Sequence, residues 1–360
     1  MIFPIKRDLW SYLQGTEKTV VMYGMGNGAD KILNICQQYG IKVSDFFASD
    51  GFVRGHSFHG KTVLSYTQVK EKYGCENLIV LLSFASSLPS VLALFDAVAS
   101  ECEFYAPDVP VCGEALFNLE FAQKHSGELR QVYSLLADDE SRRIFENTVA
   151  YKLTGRIDCL KAAESDRDEV YSSLLDAKSI RLAADLGAYN GDTVRELMKY
   201  APLLSEVYAM EPDRRNFRKL SEFIQKLGTP TVHAFHGAAW SREERLFFAD
   251  SGNRNSGAFA PGKQVEVAAR SLDSLVGDGW VDYIKYDVEG AEGEALIGSS
   301  EVIRRCRPRL LISVYHRSED LFALPLQLHT MAPDYRLYLR RYPYVPAWDL
   351  NLIALPKELN

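Results

Sequence analysis

Short apolar runs, each followed by a turn and then by apolar residues at helical spacing, recur along this chain and predict two α/β units. Thr19-Val-Val-Met-Tyr23 reads as a buried strand and Gly24 to Gly28 as a glycine turn. Ile32, Leu33, Cys36 and Tyr39 then form one face of a helix that ends at Gly40. A second strand at 41–48 ends at Asp50-Gly51, and a third, Leu78-Ile-Val-Leu-Leu82, precedes a helix carrying Val91, Leu92, Phe95 and Val98. From 113 to 178, Leu, Ala, Glu, Asp and Arg replace Val and Ile, which predicts a helical connector whose charges make a solvated face. Beyond 179, strands are expected at 181–186, 206–211, 231–235, 265–269, 282–287 and 309–315, with a helix at 214–227. Residues 335–342 alternate, a Pro-containing turn follows at 343–346, and 350–355 completes an antiparallel hairpin on an otherwise parallel sheet. The expected organisation is a Rossmann-like, nucleotide-binding-like unit at 1–112, a connector at 113–178 and a second Rossmann-like unit at 179–360.

The stretch Leu182-Ala-Ala-Asp-Leu-Gly-Ala-Tyr-Asn-Gly-Asp-Thr193 is the most informative. It reads as a buried strand ending at Asp185, a turn built on Gly187 and Gly191, and a helix opened by Thr193 with Glu196 as a capping-box partner. Asp185, Glu211 and Asp287 all fall at or just beyond strand ends, so they line one rim, where open α/β sheets bind ligands. An acid at the end of the second strand, here Glu211, can accept hydrogen bonds from both hydroxyls of a ribose. The spacing Gly187-x-x-x-Gly191 is not the G-x-G-x-x-G of a dinucleotide fold, and Asp185 and Asp192 would repel a pyrophosphate. They would attract a sulfonium and an ammonium, which favours S-adenosylmethionine over a dinucleotide.

Composition sets the boundaries of that reading. With 41 Lys and Arg against 48 Asp and Glu, the net charge is −7, which argues against general affinity for nucleic acid or an anionic membrane. No apolar run approaches the length needed to cross a bilayer, and Lys6, Arg7 and Asp8 interrupt the start before a signal-peptide core can form. Six scattered cysteines without a C-x-x-C pair suit buried thiols in a reducing compartment, so a cytoplasmic location is expected.

Three motifs of the second unit carry a resemblance. Leu186-Gly-Ala-Tyr-Asn-Gly-Asp-Thr193, Met210-Glu-Pro-Asp213 and Ile284-Lys-Tyr-Asp-Val-Glu-Gly-Ala-Glu292 together look like the FkbM-type methyltransferases, as do Arg307-Pro-Arg-Leu-Leu-Ile-Ser-Val-Tyr-His316 and the closing hairpin. The resemblance covers roughly residues 180–356. It implies a seven-stranded sheet whose last strand is antiparallel, S-adenosylmethionine as donor, and O-methylation of a hydroxyl on a carbohydrate, glycan precursor or natural product. By position, Asp185, Gly187, Gly191 and Asp192 would cradle the methionine end, Glu211 the ribose, and Ala238 and Ala239 would lie near the adenine. His316 is the first choice of general base, because an unperturbed imidazole suits neutral operation. Asp287 is second, and Glu289 is a further catalytic candidate, with helix capping as the rival role for Glu289 and Glu292. Asp287, Glu289 and His316 could also hold Mg²⁺ or Mn²⁺, the less favoured reading.

The first unit offers a rival chemistry. Gly24-Met-Gly-Asn-Gly-Ala29 fits G-x-G-x-x-[G/A], so Gly24, Gly26, Gly28 and Asp50 are candidate nucleotide contacts. The unit is similar to the N-terminal domains of sugar-modifying acyltransferases, with Gly55-His-Ser-Phe-His-Gly60-Lys-Thr-Val63 as the further segment. It could bind a sugar nucleotide that serves as methyl acceptor, bind a dinucleotide as a nicotinamide-dependent sugar oxidoreductase, or be an empty fold. A non-catalytic scaffold is the third alternative, and the acidic rim argues against it.

Overall fold

The computed structural model describes residues 5–53, 55–249 and 264–359. The first unit contains β1 (Thr19–Tyr23), β2 (Val43–Ala48), a small hairpin of β3 (Ser57–Phe58) and β4 (Lys61–Thr62), then β5 (Leu64–Ser65), β6 (Leu78–Leu82) and β7 (Glu103–Tyr105). Its main sheet is parallel, in the order β5-β2-β1-β6-β7. Leu78 to Leu82 are buried on both faces, as expected for a central parallel strand between helical layers.

The second unit contains β8 (Leu182–Leu186), β9 (Glu206–Glu211), β10 (Thr231–His236), β11 (Ala238–Ala239), β12 (Glu244–Ala249), β13 (Gln264–Arg270), β14 (Tyr283–Tyr286), β15 (Arg309–Ser313), β16 (Tyr335–Arg341) and β17 (Leu350–Pro356). Seven of these form one sheet, ordered β10-β9-β8-β14-β15-β17-β16, in which the final strand β17 runs antiparallel to both neighbours. Alternate residues divide between two cores. Leu186, Met210, Ile284 and Ile312 face one side with Leu296, Ile303 and Leu328. Ala183, Val207, Tyr283 and Leu311 face the other with Val194 and Leu197.

The expected strand at 265–269 exists, but as β13 it lies outside the main sheet. It pairs with β11 and β12 in a separate three-stranded sheet. Its exposed Glu266 and Ala268 suit a small sheet with one open face rather than a strand covered on both. The helix after β8 also starts differently. Gly191, at φ 82°, precedes the helix Asp192–Tyr200, and no side chain caps it. The Thr193 hydroxyl instead donates to Asp185, and Glu196 pairs with Arg167, so the expected capping box is absent.

The connector is helical, but its charges are not all solvated. Asp138 accepts from Arg340 at 2.6 Å, the Ser141 hydroxyl accepts from the Leu339 N–H at 2.9 Å, and Ala137 N–H donates to Leu337 at 2.8 Å. These bonds cover the open edge of β16, which would otherwise present unpaired backbone groups. Lys152 forms a buried pair with Asp108 at 3.0 Å, tying the connector to the segment after β7. Among the described residues, no helix is long and apolar enough to cross a membrane.

Candidate functional site

The site begins where β8 ends. Gly187 sits at φ 91°, and a Cβ there would lie 1.9 Å from the carbonyl oxygen of Asp287 on the neighbouring strand end. Two constraints therefore demand glycine, the backbone conformation and the close approach of two loops. Gly187→Ala is expected to part these loops and weaken binding of S-adenosylhomocysteine at least tenfold, measured by calorimetry; unchanged affinity would show the loops can separate without harm. Gly191 has a different reason. Its missing Cβ makes room for the Phe223 ring, which would lie 2.4 Å away, so it serves helix packing and does not line the cavity.

The cavity at the carboxyl ends of β8, β9, β14 and β15 has a volume of about 580 Å³. Gly187, Tyr189, Glu211, Ala238 and Ala239 line one side, with Asp192 at the helix start. Glu211 is buried at 5% exposure, and its two oxygens accept from the backbone N–H groups of Tyr189 at 2.8 Å and Asp213 at 2.9 Å. Burial pushes its carboxyl up to about 7, against those hydrogen bonds. Each oxygen keeps a further lone pair for a ligand hydroxyl. Asp185 is set back behind this surface. One of its oxygens accepts from Thr193, the other has no hydrogen-bond partner and lies 3.9 Å from the Lys285 ammonium, and neither belongs to the cavity lining. A direct contact from Asp185 to a ligand in the cavity is thus not part of the geometry.

The floor is a charged cluster. Lys285 is buried and lies 3.1 Å from Asp287 at the cavity floor. Tyr315 also donates to Asp287, at 3.1 Å. Burial works against charge on Asp287, yet Lys285 and His316 together hold its carboxyl below the ordinary range. His316 is 1% exposed. Its Nδ1 lies 3.0 Å from Glu292, and its Nε2 lies 3.5 Å from Asp287 and 3.6 Å from Glu289. Burial opposes a charged imidazole, but the three carboxylates outweigh it and raise His316 to about 10. The premise of an unperturbed imidazole is therefore corrected: the surrounding carboxylates favour the protonated form of His316 at neutral pH. Burial lifts Glu289 to about 7 despite the nearby imidazole. Its φ of 53° is uncommon for a residue with a side chain, and such strain concentrates at functional loops.

Glu292 does not line the cavity. It accepts from the Val288 N–H at 2.9 Å and fixes His316 from behind, a role that combines loop closure with imidazole orientation. Asp287, Glu292 and His316 offer ligand atoms within 4.8 Å of one another, a set that could take a cation, although the Lys285 ammonium beside Asp287 opposes one electrostatically. An aromatic group in the lining was not visible as a unit from sequence motifs: Tyr171, Tyr315, Tyr342, Tyr344 and Trp348 gather there, and Val111 of the inter-unit segment joins them.

The N-terminal candidates do not converge in the same way. Gly24 packs against Phe84, where a Cβ would meet the ring at 2.6 Å, and Gly28 packs against the Ser83 carbonyl. Both carboxylate oxygens of Asp50 are taken by the N–H and hydroxyl of Thr67, each at 2.9 Å. Of the four, only Gly28 lines the adjacent cleft, whose volume of about 190 Å³ is below the ~300–1,000 Å³ of typical cofactor sites. Among the described residues, the four candidates do not gather around one cavity of that size.

A sheet ordered β10-β9-β8-β14-β15-β17-β16, with an acid closing its second strand over a cavity, has the fold of the S-adenosylmethionine-dependent methyltransferases. Residues 185–346 match the model of the methyltransferase FkbM domain. The structure is similar to that of a methyltransferase FkbM from Methylobacillus flagellatus KT, with a TM-score of 0.74 at 19% identity, covering 98% of this chain and 94% of that one. This shared fold includes the N-terminal unit and the connector. More distant similarities are to an rRNA methylase from Streptococcus thermophilus (TM-score 0.36, 14% identity, 53% and 97% covered) and to a precorrin-6y C5,15-methyltransferase from Geobacter metallireducens GS-15 (0.32, 14%, 53% and 91%). No curated protein matches the chain.

Proposed function

We propose that the protein transfers a methyl group from S-adenosylmethionine to a hydroxyl of a carbohydrate, glycan precursor or natural product. The observation that carries this reading is the placement of His316. An imidazole flanked by carboxylates lines the same cavity as the ribose-suited Glu211. The residues fit the donor. Gly187 leaves room for close approach, Glu211 offers acceptors to two ribose hydroxyls, and Ala238 and Ala239 give an apolar bed for a base. When bound, S-adenosylmethionine supplies an electrophilic methyl on a sulfonium.

The remaining work falls to the chain. Oxygen attack requires the hydroxyl in line with the methyl and an acceptor for its proton. His316 Nε2 is the atom for that proton, with Glu292 holding Nδ1 and stabilising the imidazolium after transfer. Asp287 and Glu289 are the carboxylates that would face a cationic donor, and pairing with it would weaken their pull on the His316 proton and favour the neutral base. Asp287, fixed between Lys285 and Tyr315, positions the hydroxyl or the donor ammonium. Tyr315, Tyr342, Tyr344 and Trp348 suit the flat faces of a sugar ring, which supports a carbohydrate acceptor. All six cysteines are free, which supports a reducing, cytoplasmic setting.

Calorimetric titration with S-adenosylmethionine, S-adenosylhomocysteine, NAD and NADP tests the reading. Saturable binding of the first two alone is expected. Binding of a dinucleotide alone would move the chemistry to the first unit and sink the proposal.

A further inference from the structure

The N-terminal unit has a cleft with no part in the scheme above. It lies beyond the carboxyl ends of β1 and β6, where the order β5-β2-β1-β6-β7 reverses direction, the position at which open parallel sheets take ligands. One side comes from the turn and helix after β1, including Gly28 and Ile32, and from Ser83, Phe84 and Ala85 after β6. The other side comes from segments that belong to the catalytic half of the molecule or lead into it. Pro346 and Trp348 stand on the loop between β16 and β17, and Pro110 and Val111 on the segment after β7.

Val111 and Trp348 line the catalytic cavity as well. The two spaces thus adjoin at one residue from each segment. Both segments are pinned. Ser86 and Val345 exchange backbone hydrogen bonds of 2.9 and 3.0 Å, holding the β16–β17 loop on the first unit. Lys31 donates to the carbonyls of Pro110 at 2.9 Å and Val111 at 2.7 Å. The Cys112 N–H donates to the carbonyl of His316 itself at 3.0 Å. The geometry of the cleft is therefore fixed relative to the proposed base.

The lining is mainly apolar, with Ile32, Leu82, Phe84, Pro110, Pro346 and Trp348 prominent, and the ammonium of Lys31, which also lines it, donates to the Pro110 and Val111 carbonyls, so the cleft suits an apolar group. A cavity of ~150 Å³ lined by apolar side chains accepts benzene. The space of about 190 Å³ therefore fits one aromatic ring, or an aliphatic group of similar size.

We infer that this cleft is a subsite for an apolar substituent of the methyl acceptor. The hydroxyl to be methylated lies over His316, and the substituent passes Val111 and Trp348 to reach the switch point of the first sheet. The inference rests on the methyltransferase reading and gives the N-terminal unit a part in acceptor choice. An acceptor of this kind is amphipathic, a sugar bearing an aromatic or alkyl aglycone.

The test uses the full chain saturated with S-adenosylhomocysteine and titrated with phenyl β-D-glucopyranoside and methyl β-D-glucopyranoside. The phenyl compound is expected to bind at least tenfold more tightly, because its ring leaves water for an apolar cleft. Ala85→Trp, at a half-exposed position on the cleft, should remove that preference without changing S-adenosylhomocysteine affinity. Asn27→Trp, at the exposed mouth, is the second variant should the first fail to fold. Equal affinities, binding of neither glucoside, or a preference that survives in a folded cleft-filling variant would overturn the inference. Failure of the wild-type chain to bind S-adenosylhomocysteine would instead overturn the methyltransferase reading beneath it.

Discussion

His316→Ala is expected to lower kcat by two to four orders of magnitude while leaving S-adenosylhomocysteine affinity within about threefold of wild type, the range a positioned general base commonly contributes. The imidazole faces the cavity through Nε2 and the buried Glu292 through Nδ1. Removing it takes away the proton acceptor but none of the surfaces proposed for the donor. The pH profile separates this role from a structural one. Three carboxylates raise His316 to about 10, so the neutral base becomes more abundant as pH rises from 7 towards that value. The ratio kcat/KM, which reports the free enzyme, should climb through this range, and the limb in kcat should fall lower because the bound sulfonium disfavours imidazolium. Glu292→Gln removes one of the charges and should move the limb of kcat/KM to lower pH. A flat profile in wild type, or an unmoved limb in Glu292→Gln, would rule out His316 as the base. Stability carries the opposite sign. A folded-state value above the unfolded 6.5 contributes stability that is complete below pH 6.5 and is lost as pH rises through about 10. His316→Gln should therefore lower the melting temperature more at pH 6 than at pH 10.

The donor half of the site was legible in sequence because its parts are local. A buried strand, a glycine turn and an acid at the next strand end follow one another within thirty residues. The stretch from Lys285 to Glu292 likewise carries its cluster on one strand end and the adjoining loop. What sequence could not separate is why a glycine is a glycine. Gly187 is needed where two loops approach, and Gly191 where the Phe223 ring packs, yet both read as one ligand-binding turn. The first unit repeats the problem. Its glycine spacing satisfies a nucleotide fingerprint, but Phe84, sixty residues away in sequence, fills the space beside Gly24. The aromatic wall was illegible for a related reason. Tyr171, Tyr315, Tyr344 and Trp348 come from three distant segments, and nothing in their local pattern predicts that the connector and the closing hairpin meet. Burial was also decisive for His316. Its residue type suggested a neutral base, whereas three carboxylates converging from the loop after β14 change its charge state.

Glu211→Ala should reduce S-adenosylhomocysteine affinity by two to four orders of magnitude, the second large effect. The carboxylate is 5% exposed and is held by the N–H groups of Tyr189 and Asp213, so its direction is fixed before any ligand arrives. Two ribose hydroxyls donating to it would each form a hydrogen bond to a charged group, worth about 1.5–3 kcal/mol when lost. At ~1.4 kcal/mol per tenfold, the sum gives the stated range. Because burial lifts the Glu211 carboxyl to about 7, the ionised form that such hydroxyls favour is not fully populated at neutral pH. Affinity should therefore rise as pH increases from 6 to 8, approaching tenfold per unit below 7, and Glu211→Gln should flatten the dependence. The linked stability effect has a definite sign. A carboxyl raised above its unfolded 4.5 contributes stability below that pH, and the contribution is lost as pH rises through about 7. A ligand that pairs with the ionised group recovers it, so S-adenosylhomocysteine should raise the melting temperature more at pH 8 than at pH 6, and by neither in Glu211→Ala. An equal shift at both values in wild type would mean that the ligand does not meet Glu211, and the donor would have to lie elsewhere along the rim.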